Sequence, residues 1–425
     1  MRYSFLVLVL AFQILFFHKA LGQSIIGHSP ISRFGIGQLF GPGLTRNEGM
    51  AGCGLAVPNS DHPNLINPSL LSFNRKVNLD IDLRYIYRDL SGPGDATLND
   101  GGGGPAQLSF IIPISQRLST AFGVRPKTFR DFVFAQKKYE GSDSLGFRNR
   151  GSGGITQVWL AAGYELNKTI SLGLEASYLF GTLQDSVSFG ALPASSNFNF
   201  ISIYKRKVSQ FVFKPGIHLR IPVNASKSTY LALGGTADLG NSIGFSEYRT
   251  FTIKGAGNQQ DTLQDGNKSS LKRSVTYSGG VSLFNPEVGS VSAEVDWIDA
   301  AGENEENSII KPHNALAVRL GGEYTIGTKK STRYLNIITF RGGLSYQQFP
   351  LQQGGKFIID QKVSFGASFP IIRKEAKFSR PLINLAVAYG HRGLKDSTVG
   401  LEKYWQVTVG FTLNDFLWFN RYRID

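Results

Sequence analysis

Val77-Asn78-Leu79-Asp80-Ile81-Asp82-Leu83-Arg84-Tyr85-Ile86-Tyr87-Arg88 is the stretch that decides the fold. Val77, Leu79, Ile81, Leu83, Tyr85 and Tyr87 alternate with Asn78, Asp80, Asp82, Arg84 and Arg88, and only Ile86 breaks the polar set. A period of two sends one set to each face of a strand. Similar strips recur to the C-terminus. Leu172, Leu174, Ala176, Tyr178 and Phe180 oppose Ser171, Gly173, Glu175 and Ser177, and Trp405, Val407, Val409, Phe411 and Leu413 oppose Gln406, Thr408, Gly410 and Thr412. A soluble sheet turns its apolar face to a core. Amphipathic strands with aromatic ends that follow an export signal turn it to lipid.

The first residues carry such a signal. Arg2 is followed by a 13-residue apolar run from Phe5 to Phe17, broken only by Gln13. Ala20-Leu21-Gly22 offers small residues where a signal peptidase reads, so residues 1–22 are expected to be a signal peptide. The run is short of the roughly 20 residues that a spanning helix needs, and no later stretch approaches that length. Without a cysteine at the cleavage site, lipidation there has no support.

Composition agrees with one large closed sheet. The chain is 41% hydrophobic and 18% charged, with 49 glycines and 47 Phe plus Tyr. Tyr and Phe suit interfacial belts, and glycine suits turns and crowded walls. Cys53 is the single cysteine, so neither an internal disulfide nor a cysteine metal cluster is available. The net charge of +14 comes from scattered Lys and Arg with only short clusters such as Lys205-Arg206-Lys207. Nucleic acid is therefore not an expected partner. Outer-membrane lipid and the phosphates of lipopolysaccharide are.

Turn chemistry and alternation divide residues 76–413 into 14 strands: 76–90, 106–114, 117–135, 154–165, 169–190, 201–222, 228–254, 271–285, 288–299, 313–326, 332–347, 357–370, 381–392 and 401–413. An even count returns both ends to one side. Connections alternate in length. The stretches 91–105 (with Gly101 to Gly104), 136–153, 255–270 and 300–312 read as long polar loops. Ser115-Gln116, Asn167-Lys168, Asn285-Pro286-Glu287 and Gly327-Thr328-Lys329 read as short turns. Long loops outside and short turns inside place both termini in the periplasm. The fold expected is all-β: a 14-stranded antiparallel transmembrane barrel. Its inward set carries both signs: Asp80, Asp82, Arg84, Glu175, Lys214, Arg220, Glu294, Asp296, Arg319, Glu323 and Arg341. These are expected to pair with one another or with a segment filling the lumen.

Residues 23–75 do not alternate. They hold eight glycines between Gly27 and Gly54, together with Pro30, Pro42, Pro58, Pro63 and Pro68, so no long helix or strand can form. Yet Ile31, Phe34, Ile36, Leu39, Phe40, Leu44, Met50, Leu55, Leu65, Ile66, Leu70 and Leu71 need burial, and a barrel lumen is the available place. Ser29-Pro30-Ile31-Ser32-Arg33-Phe34-Gly35-Ile36-Gly37, Arg46-Asn47-Glu48-Gly49-Met50-Ala51-Gly52-Cys53-Gly54 and Ile66-Asn67-Pro68-Ser69-Leu70-Leu71-Ser72 resemble the N-terminal plug of FadL-type long-chain fatty-acid transporters. The similarity is to a branch that opens S-P-x-S-R-F-G-x-G and often ends in an aromatic-basic tail like residues 414–425.

The resemblance implies an outer-membrane channel for hydrophobic small molecules. Its plug would include Pro30, Arg33, Phe34, Gly35, Asn67 and Pro68, with Arg33 expected to meet a lumen carboxylate. It also implies a kinked third strand that opens the wall to lipid. Gly123 and Pro126 fall at the corresponding place, and proline cannot donate to a ladder. Because the same superfamily includes the shuttle barrel of type IX secretion, the alternative is a partner barrel for exported or surface proteins. No cofactor or metal is implied, and no histidine pair has ligand spacing. His391 with Asp396 is a nominal catalytic pair that nothing in the sequence joins, so no enzyme activity is expected.

Overall fold

The computed structural model describes residues 27–41, 44–59, 63–91, 97–140, 143–192, 199–224, 228–239, 242–254, 259–272, 274–300, 310–327, 333–371, 381–394 and 399–415. The expected signal peptide at 1–22, Asp396 and nearly all of the C-terminal tail lie outside these residues.

The strands form one closed antiparallel sheet with 14 crossings. They are β1 (Val77–Ser91), β2 (Thr97–Pro113), β3 (Leu118–Phe129 and Phe132–Glu140), β4 (Asp143–Glu165), β5 (Ile170–Leu192), β6 (Asn199–Asn224) and β7 (Thr229–Asp238 and Ser242–Lys254). Then follow β8 (Gln259–Lys272 and Val275–Asn285), β9 (Gly289–Asp299), β10 (Ile310–Pro312 and Ala315–Thr325), β11 (Thr339–Gln353), β12 (Lys356–Pro370), β13 (Leu382–Leu394) and β14 (Gly400–Asp415). The sheet closes where β14 pairs with β1, from Asp415 opposite Val77 to Leu401 opposite Ser91.

The two faces are inverted relative to a soluble sheet. On β1, Tyr85 is 51% exposed while Asp80, Asp82, Arg84 and Arg88 are buried. On β14, Trp405 is 50% exposed while Gln406 and Thr408 are buried. Ile86, the residue that breaks the polar strip, is buried on the lumen side. Apolar side chains thus face outward in a continuous band and ionic ones face in, the arrangement that a lipid surround stabilises.

Strand lengths differ sharply around the ring. β4, β5 and β6 run 23, 23 and 26 residues, whereas β9 runs 11. About 9–11 residues cross a bilayer at a barrel tilt, so one side of the wall rises well past the membrane. This corrects the expectation of long loops at 91–105, 136–153 and 255–270. Most of each stretch is strand, within Thr97–Pro113, Phe132–Glu140 with Asp143–Glu165, and Gln259–Lys272. Above the bilayer both faces of a strand are wet, so the apolar alternation that marks a crossing is absent. Gly101 to Gly104, expected as a flexible loop, pair with Tyr87 to Arg84. There a Cβ on Gly103 would run into the Arg84 carbonyl and the Tyr85 ring.

Candidate functional site: the filled lumen and the β2–β3 wall

The segment from Gly27 to Asn74 touches strands on every side of the ring, which places it inside the barrel. It contains a short 3-10 turn (Pro30–Arg33), a two-residue extended piece (Gln38–Leu39), one helical turn (Thr45–Glu48) and a second 3-10 turn (Pro68–Phe73). A ring of glycines makes room for it. A Cβ on Gly163 or Gly173 would meet Pro68 or Ser69, one on Gly216 would meet Asn67, one on Gly234 would meet Leu55, and one on Gly321 or Gly343 would meet Met50. These glycines lie on β4, β5, β6, β7, β10 and β11, so the wall is thinned where the segment's backbone approaches.

Charge fastens it. Glu48 is buried and accepts from Arg84 at 2.7 Å, from Gln406 at 2.9 Å and from Lys362 at 3.3 Å. Burial alone would raise its carboxyl, but Lys362, Arg84 and the Gln406 hydrogen bond hold it below the usual carboxylate range. Arg46 donates to both oxygens of Glu323, at 2.8 and 3.2 Å, and Arg341 donates to the same carboxylate at 3.0 Å. Glu294 receives the backbone N–H groups of Gly54 and Leu55, both at 2.6 Å. Asp82 receives the Thr45 N–H at 2.9 Å. Every one of these carboxylates is acidic in the inward strip or in the second segment motif. Apolar contacts complete the fit, with Leu44, Leu65 and Leu71 packing on Ile111, Ala121, Trp159 and Ala161 of the wall.

The residues singled out by the sequence are spread along this segment. Asn67 caps the second 3-10 turn. Its Oδ1 accepts from Ser69 and its Nδ2 donates to the carbonyls of Leu55 and Ile217, at 3.0 and 2.9 Å. Pro68 opens that turn, where its missing N–H is not needed. Pro30 opens the first one. Phe34 packs against the buried cluster of Ile31, Ile358 and Val399, and Gly35 turns the chain at φ +53°. Arg33 corrects the expectation of a carboxylate partner. Its guanidinium lies 4.8 Å from the ring centres of both Phe34 and Phe134. Nearby Arg130 takes the carboxylate instead, gripping Asp185 at 2.7 and 2.9 Å. Sequence reading did not single out Glu48 or Arg130. Their only signal is a charge inside an otherwise apolar or glycine-rich stretch.

Among the described residues, β2 and β3 share the shortest ladder between neighbouring barrel strands. These two pair only from Leu108 opposite Val124 to Pro113 opposite Ser119. Gly123 sits inside that intact ladder, where a Cβ would meet the Leu108 carbonyl and the Trp159 ring. Pro126 lies just past its end, at a bulge in the β3–β4 register between Pro126 and Thr128. Beyond Val124 the described residues show no β2–β3 ladder, and the N-terminal segment occupies the space. Gln38 and Leu39 pair with Phe129 and Thr128, and the Phe40 N–H reaches the Lys127 carbonyl at 2.9 Å. Farther along, Ser29 N–H bonds the Asp131 carbonyl at 2.8 Å, and the His28 ring contacts Asp100 on β2 at 2.7 Å. Phe40, Ala106 of β2 and Phe129 of β3 form a buried apolar bridge across the gap, and Leu39 is 51% exposed beside it.

A model of one protein family, described as BamG, matches residues 4–425. The chain belongs to the BamG family. Three solved structures share the fold of this BamG-family barrel. The FadL homologue of Pseudomonas aeruginosa is 13% identical, with 90% of this chain and 99% of that one covered, at a TM-score of 0.57. The toluene transporter TbuX of Ralstonia pickettii is 13% identical, covering 89% and 99%, at 0.56. The toluene transporter TodX of P. putida is 15% identical, covering 89% and 99%, at 0.56. No curated protein matches the sequence. The likeness to FadL-type channels therefore stands at the level of the barrel fold.

Proposed function

We propose that the protein is an outer-membrane channel for hydrophobic small molecules such as long-chain fatty acids, with residues 23–75 as its plug and a lateral exit between β2 and β3. The observation that carries this reading is the missing β2–β3 ladder, filled by Gln38 and Leu39 rather than by barrel strand. Unpaired backbone at membrane depth is tolerable only where protein or an opening lies beside it. A straight path down the lumen is unsuitable for an apolar molecule, because Glu48, Lys362, Arg319 and Asp296 crowd its centre. An apolar path exists above that layer. Ile155, Leu179, Leu183, Val208, Val212, Ile243 and Phe245 line the inner wall and pack on Ile36. Ile36 leads to Leu39, Phe40 and Phe129 at the gap. Ligand would enter from outside, displace residues 36–40 and leave into lipid past Pro126. The short turns and both barrel ends share one rim, which this reading places in the periplasm. The channels for toluene that share the fold agree with hydrophobic cargo.

A reversible lock tests the route. Leu39→Cys with Thr128→Cys joins register partners. Oxidised, the double variant should abolish uptake of a long-chain fatty acid, and reduction should restore it. Uptake indifferent to the lock would rule out this exit. A second reading, the partner barrel for exported or surface proteins, draws on the tall wall. Among the described residues Phe132–Glu140 pairs in the barrel only with β4, and Gln259–Lys272 only with β7. Each leaves an open edge able to accept another strand. A wild type with no hydrophobe uptake and a stably co-purifying partner would favour it.

A further inference from the structure

Against the segment, at the short-turn rim, the barrel holds a half-open cavity of about 330 Å3. Phe73, Phe284, Ile337 and Leu382 give it apolar walls, while Arg75, Arg220 and Arg341 face Glu323, the one acidic lining residue among those described. The two carboxylates that contact these guanidiniums each serve a pair of arginines. Glu165 lies 3.2 Å from Arg75 and 3.9 Å from Arg220, and Glu323 is shared by Arg46 and Arg341 at 2.8 and 3.0 Å. Positive charge is thus in excess at both places. Arg341 is enclosed, but the side chains of Arg75 and Arg220 remain 37% and 24% exposed. The Arg220 guanidinium also lies over the Phe73 ring at 5.0 Å, so cation and apolar wall adjoin.

We propose that this cavity binds a small amphipathic anion. Its carboxylate or phosphate head would sit on Arg75 and Arg220, and its alkyl or aryl body would lie against Phe73, Phe284, Ile337 and Leu382. The volume lies at the small end of ligand pockets. Guanidinium forks match both kinds of head, whereas a neutral hydrophobe of the same size leaves the surplus charge uncompensated. The site lies at the opposite rim from the upper β2–β3 gap and does not rest on the lateral route.

The test uses the full-length protein in phosphatidylcholine nanodiscs, with empty nanodiscs as the blank. Calorimetry compares octanoate, octyl phosphate, octanol and octyltrimethylammonium. The two anions should bind, octanol about tenfold or more weakly, since a charge-assisted bond contributes roughly 1.5–3 kcal/mol, and the cation should not bind. The ratio of octanoate to octyl phosphate affinity identifies the preferred head. Arg75→Gln with Arg220→Gln should weaken octanoate by about tenfold and leave octanol unchanged, which also reports that the pocket is intact. Thr339→Cys, on the cavity lining, should react with maleimide and be protected by octanoate. Equal affinity for octanoate and octanol, anion binding indifferent to the double variant, or an unprotected Thr339→Cys would each overturn the proposal.

Discussion

Replacing Glu48 with glutamine removes one charge and keeps the shape. Its carboxylate is the counter-ion of both Arg84 and Lys362 and accepts from Gln406, so Glu48→Gln leaves two cations facing an amide in the lumen. Breaking a buried ionic cluster by removing one partner costs about 3–5 kcal/mol. At 1.4 kcal/mol per tenfold, the population with the Thr45–Glu48 turn displaced should rise by a factor of about 10² to 4 × 10³. Arg46–Glu323, Glu294 with Gly54 and Leu55, and Asn67 with Ile217 all remain, so the displacement is local and the barrel stays closed. Single-channel recording in planar bilayers should show more frequent openings, with heat-modifiable gel mobility unchanged. Adding Arg84→Met and Lys362→Met should suppress the openings, because an apolar replacement of the whole cluster costs little. A folded Glu48→Gln barrel that opens no more often than wild type would refute the claim that this cluster fastens the segment.

Acid should act through the same residue. The folded carboxyl lies below its unfolded value, so its stabilisation is complete above the ordinary Glu value of about 4.3 and fades as pH falls through the lower folded one; wild-type openings should increase below about pH 4, and Glu48→Gln should lose that component. Gly173→Val would push a side chain into Ser69 and Pro68, so it should expose the segment to protease while an outward change such as Leu174→Val leaves it protected. Cys53 is buried and its thiol is pushed up to about 12 by burial and by Glu294, so maleimide at neutral pH should label it only in unfolded protein, and folded Glu48→Gln should stay unlabelled. In intact cells, external protease should cut the β5–β6 connection at 193–198 and spare the turn at 166–169; the reverse pattern would invert the proposed orientation.

Much of the architecture is written locally. The period-two strip of β1 already separates Tyr85 from Asp82, and that separation survives because a strand has only two faces and lipid accepts only one of them. The 14 crossings and the lumen charges follow from the same rule. Above the membrane the rule no longer operates. Gly101 to Gly104 and residues 259–272 are strand because neighbouring strands offer them backbone partners, and nothing in their own side chains records that. The segment's place in the lumen was legible from unburied apolar residues that no local element could cover. Its partners were not, since Arg33 finds aromatic rings and Arg46 finds Glu323 according to positions 100 to nearly 300 residues away in the chain. The gap between β2 and β3 belongs wholly to tertiary structure. Pro126 announces a weakened ladder, but only the folded ring brings Gln38 and Leu39 to the open edge, because a strand's partner is chosen by closure of the whole sheet.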